Sequence, residues 1–156
     1  LGGIMKFGLN EEVYNKIEKN SEWGNWYIMK RFEERKMYLI NATNRLKEAL
    51  EKEADDITID GVLHRYEFTF ELAWKTLKDY LEYLGISSNT GSPREVLKES
   101  YAHNLIENGE VWINMMLARN SLSHLYDEEE SRKIYEDIKN KYIFEIEKLV
   151  EFIEYK

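Results

Sequence analysis

A chain of 156 residues has the length of one domain, and with 43% hydrophobic and 33% charged residues it has a globular rather than a disordered composition. A formal charge of −8 excludes a general nucleic-acid coat protein, because an acidic surface repels phosphate backbones at long range; a local basic pocket acting on RNA is still compatible with it. Cysteine is absent, no apolar run approaches the roughly 18–20 residues of a membrane span, and Leu1-Gly2-Gly3-Ile4 does not open a signal peptide, so a reducing, cytoplasmic setting without a membrane is expected.

One proline and eight glycines leave little punctuation, which suits long helices. Residues 1–28 read as an N-terminal extension: Asn10 to Lys19 could form a short helix, but Trp23-Gly24-Asn25-Trp26 breaks the pattern. Residues 29–156 read as one helical-bundle domain. The first helix is expected from about Met29 to Ala54, with Phe32, Leu39, Thr43, Leu46 and Leu50 near three-to-four-residue spacing. The second is expected from about Ile59 to Leu84, with Asp60 near its start. Val62, Tyr66, Phe70, Ala73, Leu77, Leu81 and Leu84 form its stripe, and Gly85 stops it.

After a polar loop, Ser92-Pro93-Arg94-Glu95 opens a short third helix to about His103. The serine can accept from an early backbone N–H, proline suits the first helical position, and the glutamate can reach back. Asn108-Gly109 marks a turn. Another helix runs from Glu110 to about His124, and Asp127 with Glu130 opens the last one, whose apolar side is Ile134, Ile138, Tyr142, Leu149 and Ile153. Strand signals are nearly absent. The fold class is all-α: an antiparallel four-helix bundle with a short additional helix, held by burial of these stripes.

The stretch with chemical content is Arg119-Asn120-Ser121-Leu122-Ser123-His124-Leu125-Tyr126. Five residues separate Arg119 from His124, about 140° around an ideal helix, whereas Asn120 and His124 nearly share a face. If the helix ends or loosens near Ser123, Arg119 and His124 could converge on one cleft. The set suits phosphodiester cleavage. Arginine offers a permanent charge and a donor fork matched to phosphate, histidine can take or give a proton near neutral pH, and asparagine can orient either partner. No metal or other cofactor is required. The bland alternative is a helix-end histidine that caps or is solvated, an arginine in an ion pair, and a packed Tyr126.

Arg119-Asn120-x-x-x-His124-x-Tyr126 resembles the Arg-x4-His-x-Tyr signature of the HEPN superfamily of four-helix bundles. Phe68-Thr69-Phe70-Glu71-Leu72-Ala73-Trp74-Lys75 is similar to a signature of its nucleotidyltransferase substrate-binding branch, as are Ser92-Pro93-Arg94-Glu95 and the Gly109-Glu110-x-Trp112 lead-in to the arginine. The resemblance covers roughly Met29 to the C-terminus. It implies the toxin half of a two-gene, toxin–antitoxin-like module whose separate partner is a minimal nucleotidyltransferase. It further implies a metal-independent ribonuclease in which Arg119 and His124 are catalytic, usually paired across a homodimer, with Tyr126 accepting AMP from the partner. An older reading gives such bundles no catalysis and makes them the partner's substrate-binding subunit. This chain is not itself a nucleotidyltransferase, since its one Gly-Ser pair, Gly91-Ser92, is followed by no Asp-x-Asp.

Other residues carry two readings. Glu67, Glu71, Lys75 and Lys78 fall at three-to-four spacing, which reads first as a surface ion-pair ladder; the functional alternative puts Glu71 and Lys75 beside the cleft, orienting Arg119 or a phosphate. Arg94, in the first turn of a helix, could help bind phosphate but reads first as solvated. Trp74 and Trp112 read as core, and His64 and His103 lack the neighbours of a metal site.

Overall fold

The computed structural model describes residues 23–86 and 91–156, and all regular structure among them is helical. The candidate helix at Asn10 to Lys19 lies outside the described residues, as does part of the loop before Ser92. Helix α1 spans Trp23–Leu50 and α2 spans Asp56–Tyr83. The short α3 covers Pro93–Ala102, and α4, Gly109–Ser121, passes into a 3-10 turn at Leu122–His124. The last rod is α5, Glu128–Asp137, a π turn at Ile138–Tyr142, and α6, Ile143–Glu154.

Helix α1 begins six residues before the expected start and runs straight through Gly24-Asn25. A glycine inside a helix costs about 1 kcal/mol, and burial of Trp26 beside Met29 and Phe32 in the core offsets it. The same helix stops at Leu50 rather than Ala54. Asp55 must leave helical geometry to cap α2, where its carboxylate accepts the Thr58 N–H at 2.7 Å. Asp55, not Asp60, therefore starts the second helix.

The stops have equally local causes. After α2, Gly85 adopts φ 75°, with Ile86 N–H donating to the Leu81 carbonyl and Gly85 N–H to that of Glu82, the paired bonds of a Schellman end. The end of α3 repeats the arrangement with Asn104 at φ 61°, its N–H on Tyr101 and that of Leu105 on Ser100. At the start of α3 the Ser92 hydroxyl accepts the Glu95 N–H, as its sequence predicts. Gly109 begins α4 where a Cβ would stand 3.1 Å from the Tyr101 ring.

Helix α2 packs against all five other helices. It runs antiparallel to α1, with Arg31 paired to Asp79 and Glu82 at one end and Arg65 bonded to the Arg45 carbonyl at the other. It is also antiparallel to α4, with Phe70 against Trp112 and the Tyr66 hydroxyl on Met115. The π turn, which the uninterrupted apolar pattern does not foretell, packs on α4 and α6 and seats Tyr142 over Tyr66 with ring centroids 5.8 Å apart. The result is a four-rod bundle with α3 as its short extra helix. Among the described residues no helix is long and apolar enough to cross a membrane.

One buried charge joins α1 to α2. The Asp79 carboxylate is 1% exposed and lies 2.9 Å from Arg31 Nε and 3.3 Å from Arg35 Nη1. Burial raises its pKa even though both arginines favour the anion. A raised carboxyl contributes stability that is present below the unfolded value and lost as pH rises through the folded one. The Arg31→Ala/Arg35→Ala double variant should therefore lose roughly 3 kcal/mol near neutral pH, the order expected when a buried charge loses its partners. Chemical denaturation at neutral and acidic pH checks this. The deficit should shrink on acidification, because a protonated Asp79 needs no cation, and an equal loss at both pH values would mean that the arginines act through packing alone.

Candidate functional site

The site grows from the way α4 is anchored. The buried Tyr66 hydroxyl donates to the Met115 carbonyl at 2.7 Å. Regular helix geometry gives that same carbonyl to the N–H of Arg119, four residues on. Burial, with Tyr142 and Asp137 nearby, pushes the Tyr66 phenol well above its ordinary pKa, so it remains a donor at any physiological pH. Side chains on a helix lean toward its N-terminus, which lets Arg119 reach back along α4 to Glu71 rather than forward to the level of its own Cα.

There Arg119 Nη2 stands 3.2 Å from Glu71 Oε2. The same oxygen accepts the Trp74 indole N–H at 3.1 Å, and Lys75 Nζ lies 3.3 Å from the other oxygen. Burial alone would raise the Glu71 pKa, but hydrogen bonds from Trp74 and Lys75 and the charges of Arg119 and Lys75 outweigh it and hold the carboxyl below its ordinary value. Arg119 Nε is buried with no acceptor. The expected ladder is thus present at its Glu71–Lys75 rung, and the same carboxylate also takes the arginine from α4. Trp74 and Trp112 are core, as expected; the Trp74 bond, at i to i+3 spacing, has a sequence signal that an apolar reading of tryptophan hides.

Helix α4 ends soon after Arg119 for a local reason. Ser121 Oγ donates to the Ala118 carbonyl and Ser123 Oγ to that of Asn120, while the Leu122 N–H bonds to Arg119, a set of i to i−3 contacts that tightens the last turn. The α-helix expected to reach about His124 thus ends at Ser121, and the loosening set as the condition for convergence is met. At regular geometry, two steps of about 100° and three of about 120° put the two positions roughly 160° apart around the axis, against about 140° for an unbroken helix, so the tightening alone does not put them on one face. No hydrogen bond or ion pair joins them among the described residues. Asn120 and His124 are exposed.

Beyond the turn, Leu125 is extended and the Asp127 carboxylate caps α5 on Glu129 N–H at 2.9 Å. Tyr126 sits on that bridge, 91% exposed. It borders a groove of about 280 Å³ lined also by Asp56, Asp60, Asp127, Glu128 and Arg132. Arg94 is exposed in the first turn of α3, and among the described residues no hydrogen bond or ion pair connects it to Glu71, Lys75 or Arg119.

A helical bundle whose α4 ends on Arg119-x4-His124-x-Tyr126 fits the HEPN class of proteins. The family model described as nucleotidyltransferase substrate binding protein like matches residues 30–155, and the chain belongs to that family. It is 29% identical over 86 residues to the probable ribonuclease HepT of Haemophilus influenzae (strain ATCC 51907 / DSM 11121 / KW20 / Rd), a match covering 53% of this chain and 59% of that protein. The matched part is thus less than two thirds of the relative's length. A crystal structure of a Thermus thermophilus protein is similar with a TM-score of 0.62 at 26% identity, covering 74% of this chain and 95% of that one.

Tyr66→Phe should cost about 1 kcal/mol, since Met115 keeps its helix bond and only a neutral side-chain bond is lost; urea denaturation measures it, and an unchanged midpoint would show the bond to be immaterial. The Glu71 carboxyl, lowered on folding, contributes stability above its unfolded value that is lost as pH falls through the folded one. The Trp74 indole N–H resonance should accordingly titrate below the ordinary glutamate range, and Glu71→Gln should abolish that step.

Proposed function

We propose that this chain is the ribonuclease half of a two-component module, cleaving single-stranded RNA without a metal and silenced by a separate minimal nucleotidyltransferase. The observation that carries the reading is the Arg119 guanidinium, anchored on an ionised Glu71 and followed within seven residues by an exposed His124 and a 91% exposed Tyr126. In the reaction, the RNA 2′-oxygen attacks the adjacent phosphorus, the P–O5′ bond breaks, and a 2′,3′-cyclic phosphate forms. Arg119 holds the phosphate oxygens as negative charge develops on them. The His124 imidazole takes the 2′-hydroxyl proton or supplies one to the 5′-oxygen, and Asn120 orients substrate or imidazole.

The wide offset of the Arg119 and His124 positions around the helix axis favours a site shared by two copies, the arginine of one meeting the histidine of the other. Leu117, exposed on α4 two residues before Arg119, offers apolar surface for that pairing. Silencing follows from Tyr126. Its phenolic oxygen attacks the α-phosphorus of ATP held by the partner, pyrophosphate leaves, and the phenol proton passes to the partner or to solvent. The attached AMP then places bulk and a negative phosphodiester beside the cations that RNA needs.

A second reading is favoured by the exposure of Tyr126 beside the acidic groove: the bundle docks the nucleotidyltransferase and presents substrate to it, with no catalysis of its own. Cleavage of RNA by the purified protein in excess chelator separates the two. Arg119→Ala and His124→Ala should each lose at least about 100-fold with unchanged helical content. Mixing the two inactive variants should restore about a quarter of wild-type turnover, since half of the pairs are mixed and each mixed pair rebuilds one of two sites. Cleavage by His124→Ala at the wild-type rate would sink the ribonuclease reading, and absence of complementation would confine the site to one chain. With partner and ATP, the wild type should gain the mass of AMP and Tyr126→Phe should not.

A further inference from the structure

We propose that Glu71 is the positioning residue of Arg119, fixing where the guanidinium stands before a phosphodiester arrives; the inference rests on the reading of Arg119 as the phosphate-holding cation. Arginine is long and flexible, and a side chain that must meet a phosphate in one geometry loses rate when it wanders. On this chain the constraint comes from a single carboxylate. Arg119 Nη2 is on Glu71, its Nε finds no acceptor, and no other hydrogen bond or ion pair to Arg119 side-chain atoms exists among the described residues.

The carboxylate is itself prevented from turning. One of its oxygens takes both the Trp74 indole and Arg119, and the other takes Lys75. Trp74 is buried, so the indole is a rigid donor rather than a mobile surface one. The contact with Arg119 is through one nitrogen only, which leaves further N–H groups of the fork for a phosphate. Glu71, Lys75 and Arg119 together carry one excess positive charge. That is the sign a phosphodiester requires, placed locally on a chain whose total is strongly negative. A surface ladder explains the Lys75 contact but not an arginine arriving from another helix at the head of the Arg119–Tyr126 motif.

The test is nitrogen-15 relaxation of the Arg119 Nε–Hε group in the full chain, with Arg94 and Arg132 as exposed references, in wild type, Glu71→Gln and Trp74→Phe. In the wild type Arg119 should be ordered on the picosecond–nanosecond scale. In Glu71→Gln it should fall to the level of the references, and in Trp74→Phe part of the way. RNA cleavage by Glu71→Gln should drop about 10–100-fold in kcat with little change in KM, while Tm stays within a few degrees of wild type. Arg119 remaining equally ordered in Glu71→Gln overturns the proposal, as does undiminished cleavage alongside a disordered Arg119. If the wild type cleaves no RNA, the ribonuclease reading falls separately. The relaxation measurement then decides on Glu71 by itself: lost order of Arg119 in Glu71→Gln supports the proposal, and retained order overturns it. Should Glu71→Gln fail to fold, Trp74→Phe supplies the same readouts with a smaller fall.

Discussion

Helix α2 has neighbours on almost every side, and Asp60, His64, Glu67, Glu71 and Lys75 form one strip along it that solvent still reaches. That constraint organises the molecule. Because α1, α3, α4, α5 and α6 all pack against one rod, the polar groups they deliver to α2 meet it either in the interior, as Arg31 and Arg35 meet Asp79, or beside this strip. Arg119 does the latter from α4 and meets a carboxylate already braced by its own helix. The pairing lies between the exposed cases that contribute little and the fully buried ones that cost more than they return. A half-buried carboxylate held ionised by three donors orders an arginine without stranding a charge.

The same rod sets the accuracy of the site from within. The Tyr66 hydroxyl reaches across the core to the Met115 carbonyl, and Tyr142, on the π turn, stacks over Tyr66. The turn of α4 that carries Arg119 is therefore tied to α2 and to the last rod together. Just beyond it the chain stops being regular: serine hydroxyls tighten the helix end, an extended bridge follows, and Asp127 starts the next helix. Rigid anchoring up to Arg119 and irregular, exposed backbone after it give the motif a fixed half and an accessible half. His124 and Tyr126 belong to the accessible half, where a second chain or a modifying enzyme can reach them.

Much of this was legible in the residues. The apolar stripes, the Ser92-Pro93 start, the Gly85 stop and the Asp127 cap are written in local chemistry, and local chemistry is what decides them. The boundaries that moved did so through tertiary gain or a competing cap. Burial of Trp26 carried α1 through a glycine, and Asp55 took the capping position from which Asp60 was too far along the helix. The Asn104 stop of α3 passed unread because asparagine takes the left-handed conformation less often than glycine. The π turn had no pattern to betray it, since its apolar residues still recur at helical intervals.

By itself the sequence determined an all-helical bundle and the order of its motif residues, because periodicity, capping and spacing are properties of neighbouring residues. It could list Glu71, Trp74, Lys75 and Arg119 but not join them: 48 positions separate the carboxylate from the arginine, and only the antiparallel packing of α2 and α4 closes that gap. Tertiary structure also decided where α4 tightens, at the 3-10 turn Leu122–His124, which changes the ideal offset of Arg119 and His124 around the axis from about 140° to about 160°. That outcome depends on how the helix end packs, and no one-dimensional spacing contains it.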